Sequence, residues 1–200
     1  MKGVYNFIIR PKLSRHESKK TVGDNELILN TELQNHQYVS RIGVVIGVPS
    51  YNPTDIKEGD EVIVHHNVFR RFYDVRGAEK NSKSYYEDNM FFVAPDQIFA
   101  FKPNKEWISL DDFCFIKPIE NNDKFSLDKE KPLVGVLKYF NEKNKSDIKV
   151  GDLVGFCPGF EYEFIIDNQK LYRVPINKIT IKYEYKGNEK EYNPSWASSS

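Results

Sequence analysis

DIKEGDEV at residues 55–62 returns almost unchanged as DIKVGDLV at residues 147–154. In both copies Gly-Asp precedes an apolar run, a pattern typical of a tight turn that leads into a strand. Glycine accepts a positive φ in such a turn, and the aspartate carboxylate can accept a hydrogen bond from the nearby backbone. A motif of this length that occurs twice in 200 residues predicts a duplicated domain.

Three further segments recur in the same order, and their spacing supports the duplication. They are FIIRP (7–11) with CFIKP (114–118), RIGVV (41–45) with LVGVL (133–137), and PDQIFAFK (95–102) with PINKITIK (175–182). The offset is 107 positions for the first pair, 92 for both the second pair and the Gly-Asp motif, and 80 for the last pair. The second copy has therefore lost 15 residues before its glycine and 12 after Gly-Asp, as expected where loops diverge around a retained framework.

The recurring segments have the composition of short strands. Residues 7–9 and 113–116 are apolar runs that end before a proline, and residues 42–48 are β-branched with two glycines, as expected where a strand bends in a small barrel. No pattern of a long amphipathic helix occurs. The sequence therefore predicts an all-β chain of two tandem small barrels and a polar tail, in residues 1–105, 106–186 and 187–200, with a linker within residues 101–113.

The composition disfavours several classes of protein. The chain has 29 basic and 29 acidic residues, so neither a basic nucleic-acid surface nor an acidic tail is expected. Its two cysteines, Cys114 and Cys157, are too few for a disulfide framework and are expected to be small buried apolar residues. No apolar run approaches the roughly 20 residues of a membrane helix, and the first residues lack the apolar stretch of a signal peptide. We expect a soluble cytoplasmic protein.

Taken in order, these elements resemble the GroES-like co-chaperonins. The resemblance rests on a strand that ends in Arg-Pro, a long polar loop, Gly-Val-Val, Ile-Lys-x-Gly-Asp-x-Val and a closing strand. Residues 4–102 match best, and residues 112–184 match more weakly. The resemblance implies β-barrels that assemble into the lid of a chaperonin cage, with ATP hydrolysed by the chaperonin, so no enzyme activity and no cofactor is expected. Short, divergent members of this kind look like those encoded by phages, whose proteins act in the host cytoplasm.

The loop at about residues 14–40 carries the candidate binding site. In the family this loop holds a short aliphatic triplet that binds the chaperonin, and the resemblance assigns that role here to Leu27, Ile28 and Leu29, which stand in a polar tract. The alternative is that these three residues form a short strand of the barrel. The second copy has residues 120–131 at this position without a triplet, and it is expected not to bind a chaperonin in this way.

Other candidate sites are weaker. His65 and His66 suggest a metal, but neighbouring residues of a strand point to opposite faces, and no cysteine or carboxylate spacing completes a zinc site. No nucleophile elbow, Walker loop or dinucleotide motif occurs, so no catalytic residues are predicted. Aromatic and arginine residues interleave, which could stack nucleic-acid bases, although a subunit contact or a plug at the barrel end is favoured: Phe69, Arg70, Arg71, Phe72, Tyr73, Arg76, Tyr85 and Tyr86.

The expected assembly follows from the resemblance. A chaperonin ring of this family presents seven sites, and each chain offers one candidate loop, so we expect a homo-oligomer, with a heptamer as the first interpretation. The short segment at residues 49–53 replaces the hairpin that roofs the dome in many family members. The alternative function is a structural or virion assembly protein that uses the same barrels as interaction modules, since a fold does not determine a function.

Overall fold

The structure is a computed structural model of the 200-residue chain. It describes residues 2–15, 19–22, 25–28, 39–51, 53–110, 112–123, 125–143, 147–184, 187 and 189–197, and for residues 19–22 and 25–28 it describes the backbone. The chain divides into two compact units, Met1–Trp107 and Ile108–Ser200. Trp107, at the end of the first unit, is buried, and its ring lies 5.1 Å from the Lys102 ammonium, so this part of the predicted linker is packed.

The first unit contains a five-strand antiparallel arrangement and two small hairpins. Its strands are β1 (Phe7–Pro11), β2 (Lys19–Val22), β3 (Asn25–Ile28), β4 (Ile42–Gly47), β5 (Glu61–Val64), β6 (Arg71–Tyr73), β7 (Glu79–Asn81), β8 (Phe91–Val93) and β9 (Ile98–Lys102). Within the unit, the main sheet runs in the order β9-β5-β4-β1-β8. Strands β2 and β3 pair only with each other in the described residues, and so do β6 and β7.

The second unit begins with a two-residue strand and contains a six-stranded antiparallel sheet. Its strands are β10 (Ile108–Ser109), β11 (Phe113–Glu120), β12 (Glu130–Tyr139), β13 (Leu153–Phe156), β14 (Tyr162–Ile166), β15 (Gln169–Pro175) and β16 (Ile179–Tyr183). The order in the six-stranded sheet is β14-β15-β11-β12-β13-β16. One face of this sheet buries a core of Cys114, Ile116, Leu137, Phe140, Val154, Phe156 and Val174.

Both main sheets have the same strand order and the same register. The order β8-β1-β4-β5-β9 corresponds to β15-β11-β12-β13-β16. Pro11 lies opposite Gly43, and Pro118 lies opposite Gly135. The register shift in β1 between Ile8 and Ile9 recurs at the equivalent position of β11, between Phe115 and Ile116. The segments that recur in the sequence are therefore the strands that occupy equivalent positions in the two sheets.

The predicted Gly-Asp turn is confirmed in both units. Gly59 and Gly151 have φ values of 93° and 94°, the left-handed region that glycine adopts without steric cost. The Asp60 carboxylate accepts a hydrogen bond of 2.8 Å from the Lys57 amide, and the Asp152 carboxylate accepts one of 2.7 Å from the Lys149 amide. The glycine conformation and the aspartate hydrogen bond both lie within four neighbouring residues, which is why the sequence could predict this turn.

The last repeated segment differs by one residue from its predicted alignment. Val62 lies opposite Phe101 and Val154 lies opposite Lys182, which gives an offset of 81 positions for the closing strands, whereas the prolines suggested 80. The 3-10 turns before these strands, Pro95–Gln97 and Ile176–Lys178, show the same offset. The predicted match of Pro95 with Pro175 is therefore wrong, and the second copy has lost 11 residues after Gly-Asp.

The all-β fold class is confirmed, because the described residues form strands and short 3-10 turns without an α-helix. The main sheets are open: in the described part of the chain, β14 and β16 form the two outer strands of the second sheet and do not pair with each other. The expected closed barrels are thus not what the strand pairing gives. None of the described segments forms a helix of the length and apolarity needed to cross a lipid bilayer.

The segment predicted as a polar tail packs against the second unit over residues 189–197. The Tyr192 amide donates to the Pro118 carbonyl at 2.8 Å, and the Glu120 amide donates to the Lys190 carbonyl at 2.7 Å. Ala197 is fully buried. This part of the C-terminal segment is therefore a structural element of the unit, held along β11.

Candidate functional site

The predicted binding triplet begins in the small hairpin of strands β2 and β3. Leu27 lies opposite Lys20, and Ile28 lies opposite Lys19. Leu29 lies outside the described residues. The alternative, that the triplet is a short strand of the barrel, is met in part, since Leu27 and Ile28 end the short strand β3, which among the described residues pairs with β2 and not with the main sheet. Their role in binding a chaperonin stays a prediction.

The two ends of the long loop are joined to each other and to the main sheet. After β1, the Lys12 amide donates to the Ile42 carbonyl at 3.0 Å, and the Lys12 ammonium lies 2.7 Å from the Glu61 carboxylate. The Ser40 amide donates to the Arg15 carbonyl at 3.1 Å. The described residues at both ends of the loop are therefore fixed relative to the sheet.

The Arg15 side chain connects the base of the loop to the chain segment between β5 and β8. Its guanidinium donates to the side-chain oxygen of Asn81 at 2.8 Å, to the Phe69 carbonyl at 3.3 Å and to the Arg70 carbonyl at 3.4 Å. A planar guanidinium can serve three acceptors at once, which a lysine ammonium at this position could not do with the same geometry.

Two aromatic rings complete the Arg15 site. The guanidinium carbon lies 4.9 Å from the centre of the Phe91 ring and 5.4 Å from that of Tyr85, within the range of cation–π attraction. Burial, followed by the positive charge of Arg71, lowers the pKa of Arg15. Arginine nevertheless remains charged at neutral pH, so the site holds a partly desolvated cation.

The segment that receives Arg15 is itself organised by local contacts. Strands β6 and β7 form a hairpin whose turn is closed by the Asp74 carboxylate, which accepts from the amides of Arg76 and Ala78 at 2.9 Å each. These two hydrogen bonds lower the pKa of Asp74. Beside the hairpin, the Ser82 hydroxyl donates to the Val68 carbonyl at 2.6 Å. In the described part of the second unit, β14 is the one strand between β13 and β15, so the β6–β7 hairpin has no equivalent there. The hairpin and the long loop are thus both features of the first unit, and Arg15 connects them.

Several of the interleaved aromatic and arginine residues predicted in this region contact one another or other residues of the first unit. Phe69 is buried and packs edge-on against Phe91, with ring centres 4.9 Å apart. Tyr85 contacts both Phe91 and Arg15. Arg71 pairs with Glu79 at 3.0 Å. Phe69, Tyr85 and Arg71 therefore have partners within the first unit. Tyr73 and Tyr86 are about half exposed.

His65 and His66 lie together, contrary to the expectation that they point apart. Strand β5 ends at Val64, so the alternation of a strand does not apply, and the two rings stack with centres 4.2 Å apart. The His65 Nδ1 atom accepts from the Asn67 amide at 3.1 Å. Over the described residues, no group of three or more histidine, cysteine, aspartate or glutamate side chains could hold a metal ion.

A buried charged group of the second unit was not predicted from the sequence. Lys117 lies within β11 and is almost fully buried as a residue, and its ammonium donates to the Asn193 side-chain oxygen at 2.7 Å. Burial lowers the pKa of Lys117 to about 8, with Glu191 raising it and Lys138 lowering it by smaller amounts. In the sequence, Lys117 stands out only as a lysine inside an apolar run. Its burial could not be predicted, because its hydrogen-bond partner Asn193 lies 76 positions away.

A second cluster lies around Lys170, close to the same C-terminal segment. Its ammonium lies 3.1 Å from the carboxylates of Glu130 and Glu163. Burial lowers the pKa of Lys170, but hydrogen bonds to Tyr172, Glu130 and Glu163 outweigh this and leave the pKa above its ordinary value. Burial and the hydrogen bond to Glu130 raise the pKa of Tyr172 to about 12. All members of the cluster have partners, which indicates a structural ion-pair network.

The cysteines are free in the described structure. Cys114 is buried in the core of the second unit, and burial raises the pKa of its thiol to about 12, so it is a poor nucleophile. Cys157 is partly exposed. For Cys114, the prediction of a small buried apolar residue is confirmed.

Comparison with known proteins finds no family model that matches the chain and no match among curated proteins.

Proposed function

We propose that the chain is a co-chaperonin made of two GroES-like domains, which caps a chaperonin ring through Leu27, Ile28 and Leu29. Each open main sheet is then a divergent copy of one ancestral barrel, and the chain has no catalytic chemistry of its own. The proposal includes a homo-oligomer, with seven chains matching the seven sites of a ring.

One observation carries the proposal. The two sheets share strand order and register, yet the connection from the first to the second strand is long and polar in one copy and short in the other. The extra chain in the first copy contains the aliphatic triplet, and its base is fixed by the Arg15 site. A long insertion held at its base is typical of a binding loop on a rigid scaffold.

The energetics require several loops to act together. Burial of one leucine or isoleucine side chain contributes roughly 1.5–3 kcal/mol. Ordering a flexible segment on binding costs roughly 2–5 kcal/mol or more. One triplet therefore binds weakly, and useful affinity depends on several loops that engage one ring at the same time.

The test replaces one residue of the triplet in the full chain. Leu27→Asp should abolish ATP-dependent binding to a GroEL-type chaperonin ring and assisted refolding of a client protein, while thermal unfolding stays unchanged. Leu13→Asp is the matched control, because Leu13 is an exposed aliphatic residue just before the loop and lies outside the triplet. Normal refolding with Leu27→Asp would refute the role of the triplet, and a wild-type chain that binds no ring would refute the proposed function.

A further inference from the structure

The C-terminal segment at residues 189–197 lies along an edge of β11 that β15 does not reach. Strands β11 and β15 pair from Phe113 to Ile116, and β12 occupies the other side of β11. Past Ile116, the C-terminal segment pairs with β11 instead, through an antiparallel bridge between Ile119 and Glu191. The segment therefore begins to pair with β11 where β15 and β11 part.

The Asn193 side chain fixes this segment at three points. Its oxygen accepts from the Lys117 ammonium at 2.7 Å and from the Lys170 backbone amide at 2.9 Å. Its nitrogen donates to the Asn168 carbonyl at 3.0 Å. Lys117 belongs to β11, Lys170 to β15, and Asn168 to the turn between β14 and β15. One amide group thus joins the segment to both of the strands that part beside it.

The segment depends more on polar contacts than on buried apolar area. Within residues 189–197 only Pro194 and Ala197 are buried, and both are small. The Glu191 carboxylate pairs with the Lys138 ammonium at 2.5 Å, but both side chains are partly exposed, so this ion pair contributes little. A segment with little buried apolar area can open while the sheet beneath it stays folded.

The two units show what this segment does to the lysine beneath it. Arg10 of the first unit and Lys117 of the second occupy equivalent positions, opposite Val44 and Val136 respectively. Arg10 is exposed, whereas Lys117 is 2% exposed and donates to Asn193 of the segment. The C-terminal segment is therefore what removes the Lys117 side chain from water.

Closure of the segment is unfavourable for a charged Lys117. The described hydrogen-bond partner of its ammonium is a neutral amide, so no carboxylate in direct contact compensates for the lost hydration. Burial lowers the pKa of Lys117 to about 8, while the nearby Glu191 raises it and Lys138 lowers it by smaller amounts. From β15, Lys170 approaches the same Asn193 oxygen with its backbone amide. Water solvates the ammonium once the segment leaves, so the open form binds this proton more tightly.

We propose that residues 189–197 form a strap that opens and closes on the second unit, and that proton uptake by Lys117 favours the open form. A neutral lysine amine still donates to the Asn193 oxygen, so deprotonation keeps this hydrogen bond and removes the cost of burying a charge. The strap is therefore held more firmly as the pH rises. Opening separates the Pro118 carbonyl and the Glu120 amide from their partners in the strap, which leaves this edge of β11 free for strand pairing.

Hydrogen exchange of the Tyr192 amide in the full chain, followed by NMR, measures closure of the strap. This amide donates to the Pro118 carbonyl in the closed form. Because Lys117 titrates near 8 in the closed form and near 10.5 in water, its protection factor should rise roughly tenfold from pH 7 to pH 9. Residues 108–200 contain no histidine, so no imidazole of the second unit titrates in this range.

Three variants test the residues that carry the proposal. Lys117→Met keeps the aliphatic chain without the charge, so its Tyr192 protection factor should be the same at pH 7 and pH 9. Lys131→Met is the matched control, because Lys131 is an exposed lysine of β12, and it should keep the wild-type rise. Asn193→Ala should lower the protection factor at least about tenfold at both pH values, since three hydrogen bonds are lost.

A second amide separates opening of the strap from unfolding of the unit. The Leu137 amide donates to the Asp152 carbonyl at 2.9 Å within the unit, so its protection shows that each variant is folded. It should exceed that of Tyr192; equal protection of the two amides would show that the segment opens only with the whole unit, and would overturn the strap. No rise in the wild type, or the same rise in Lys117→Met, would overturn the role of Lys117. The measurement needs no chaperonin, so its outcome leaves the proposed function untouched.

Discussion

Replacement of Arg15 by methionine tests whether this side chain holds the base of the long loop. Methionine keeps much of the aliphatic volume but removes the guanidinium, and with it the hydrogen bonds to Asn81, Phe69 and Arg70. The cation–π contacts with Phe91 and Tyr85 are lost as well. The variant thus removes one cation and leaves two main-chain carbonyls without this donor.

The expected loss can be estimated from these contacts. A hydrogen bond to a charged group contributes about 1.5–3 kcal/mol, and a partly exposed cation–π contact about 0.5–1 kcal/mol. Because Arg15 is only partly buried and water can replace some of these contacts, we expect the free energy of unfolding to fall by about 2 kcal/mol. Urea unfolding followed by tyrosine and tryptophan fluorescence measures this change.

The matched control is Arg10→Met, since Arg10 is an exposed arginine of β1, only five positions earlier. It should change the free energy of unfolding by less than about 0.5 kcal/mol, as surface substitutions usually do. If Arg15→Met were no more destabilising than Arg10→Met, the Arg15 contacts would not stabilise the loop base. If it were destabilising but bound a chaperonin ring normally, the site would stabilise the unit without positioning the loop.

Two further predictions concern the second unit. A Cβ at Gly135 would collide with the main-chain oxygen of Lys117, so Gly135→Ala should lower the free energy of unfolding by about 1–3 kcal/mol. Gly155→Ala should cost less, because the nearest atom to its Cβ would be on the edge of the Tyr183 ring at 3.2 Å, and equal costs would contradict this packing. Burial holds the pKa of Lys117 near 8 and an unfolded lysine titrates near 10.5, so the unfolded chain binds more protons at this residue between these values, and Lys117 makes stability rise with pH. The buried Cys114 thiol, with its pKa raised to about 12, has the opposite effect above about pH 9, so the net rise is expected from pH 8 to 9. Lys117→Met should flatten that rise in pH-dependent urea unfolding, while the exposed Lys131→Met should not; an unchanged slope in Lys117→Met would show that another group causes it.

Much of the fold could be predicted because its elements are local or repeated. The aspartate hydrogen bond of each Gly-Asp turn lies within four neighbouring residues, and the strands that carry the repeats pair in the same register in both units. The alignment of the closing strands went wrong by one residue at Pro175. Strand β9 has buried side chains at consecutive positions, so there is no alternation of polar and apolar residues to determine the register.

The candidate sites were less predictable. The triplet at Leu27 was found by resemblance to a family, and no local feature of the sequence predicts what it binds. A sequence does not tell whether an apolar residue near a turn is buried, and Phe125 and Leu127 are almost fully exposed in the structure.

The sequence alone was sufficient for the all-β class, the repeated framework and the turns that begin its strands, since these depend on residues that are close together in the chain or that occur twice. The tertiary structure was needed to bring Arg15 to Asn81 across 66 positions and Lys117 to Asn193 across 76. Such contacts depend on where whole strands and the C-terminal segment pack. A charged side chain is ordinarily expected at the surface, so the partial burial of Arg15 and the burial of Lys117 became visible only when their distant partners were placed beside them.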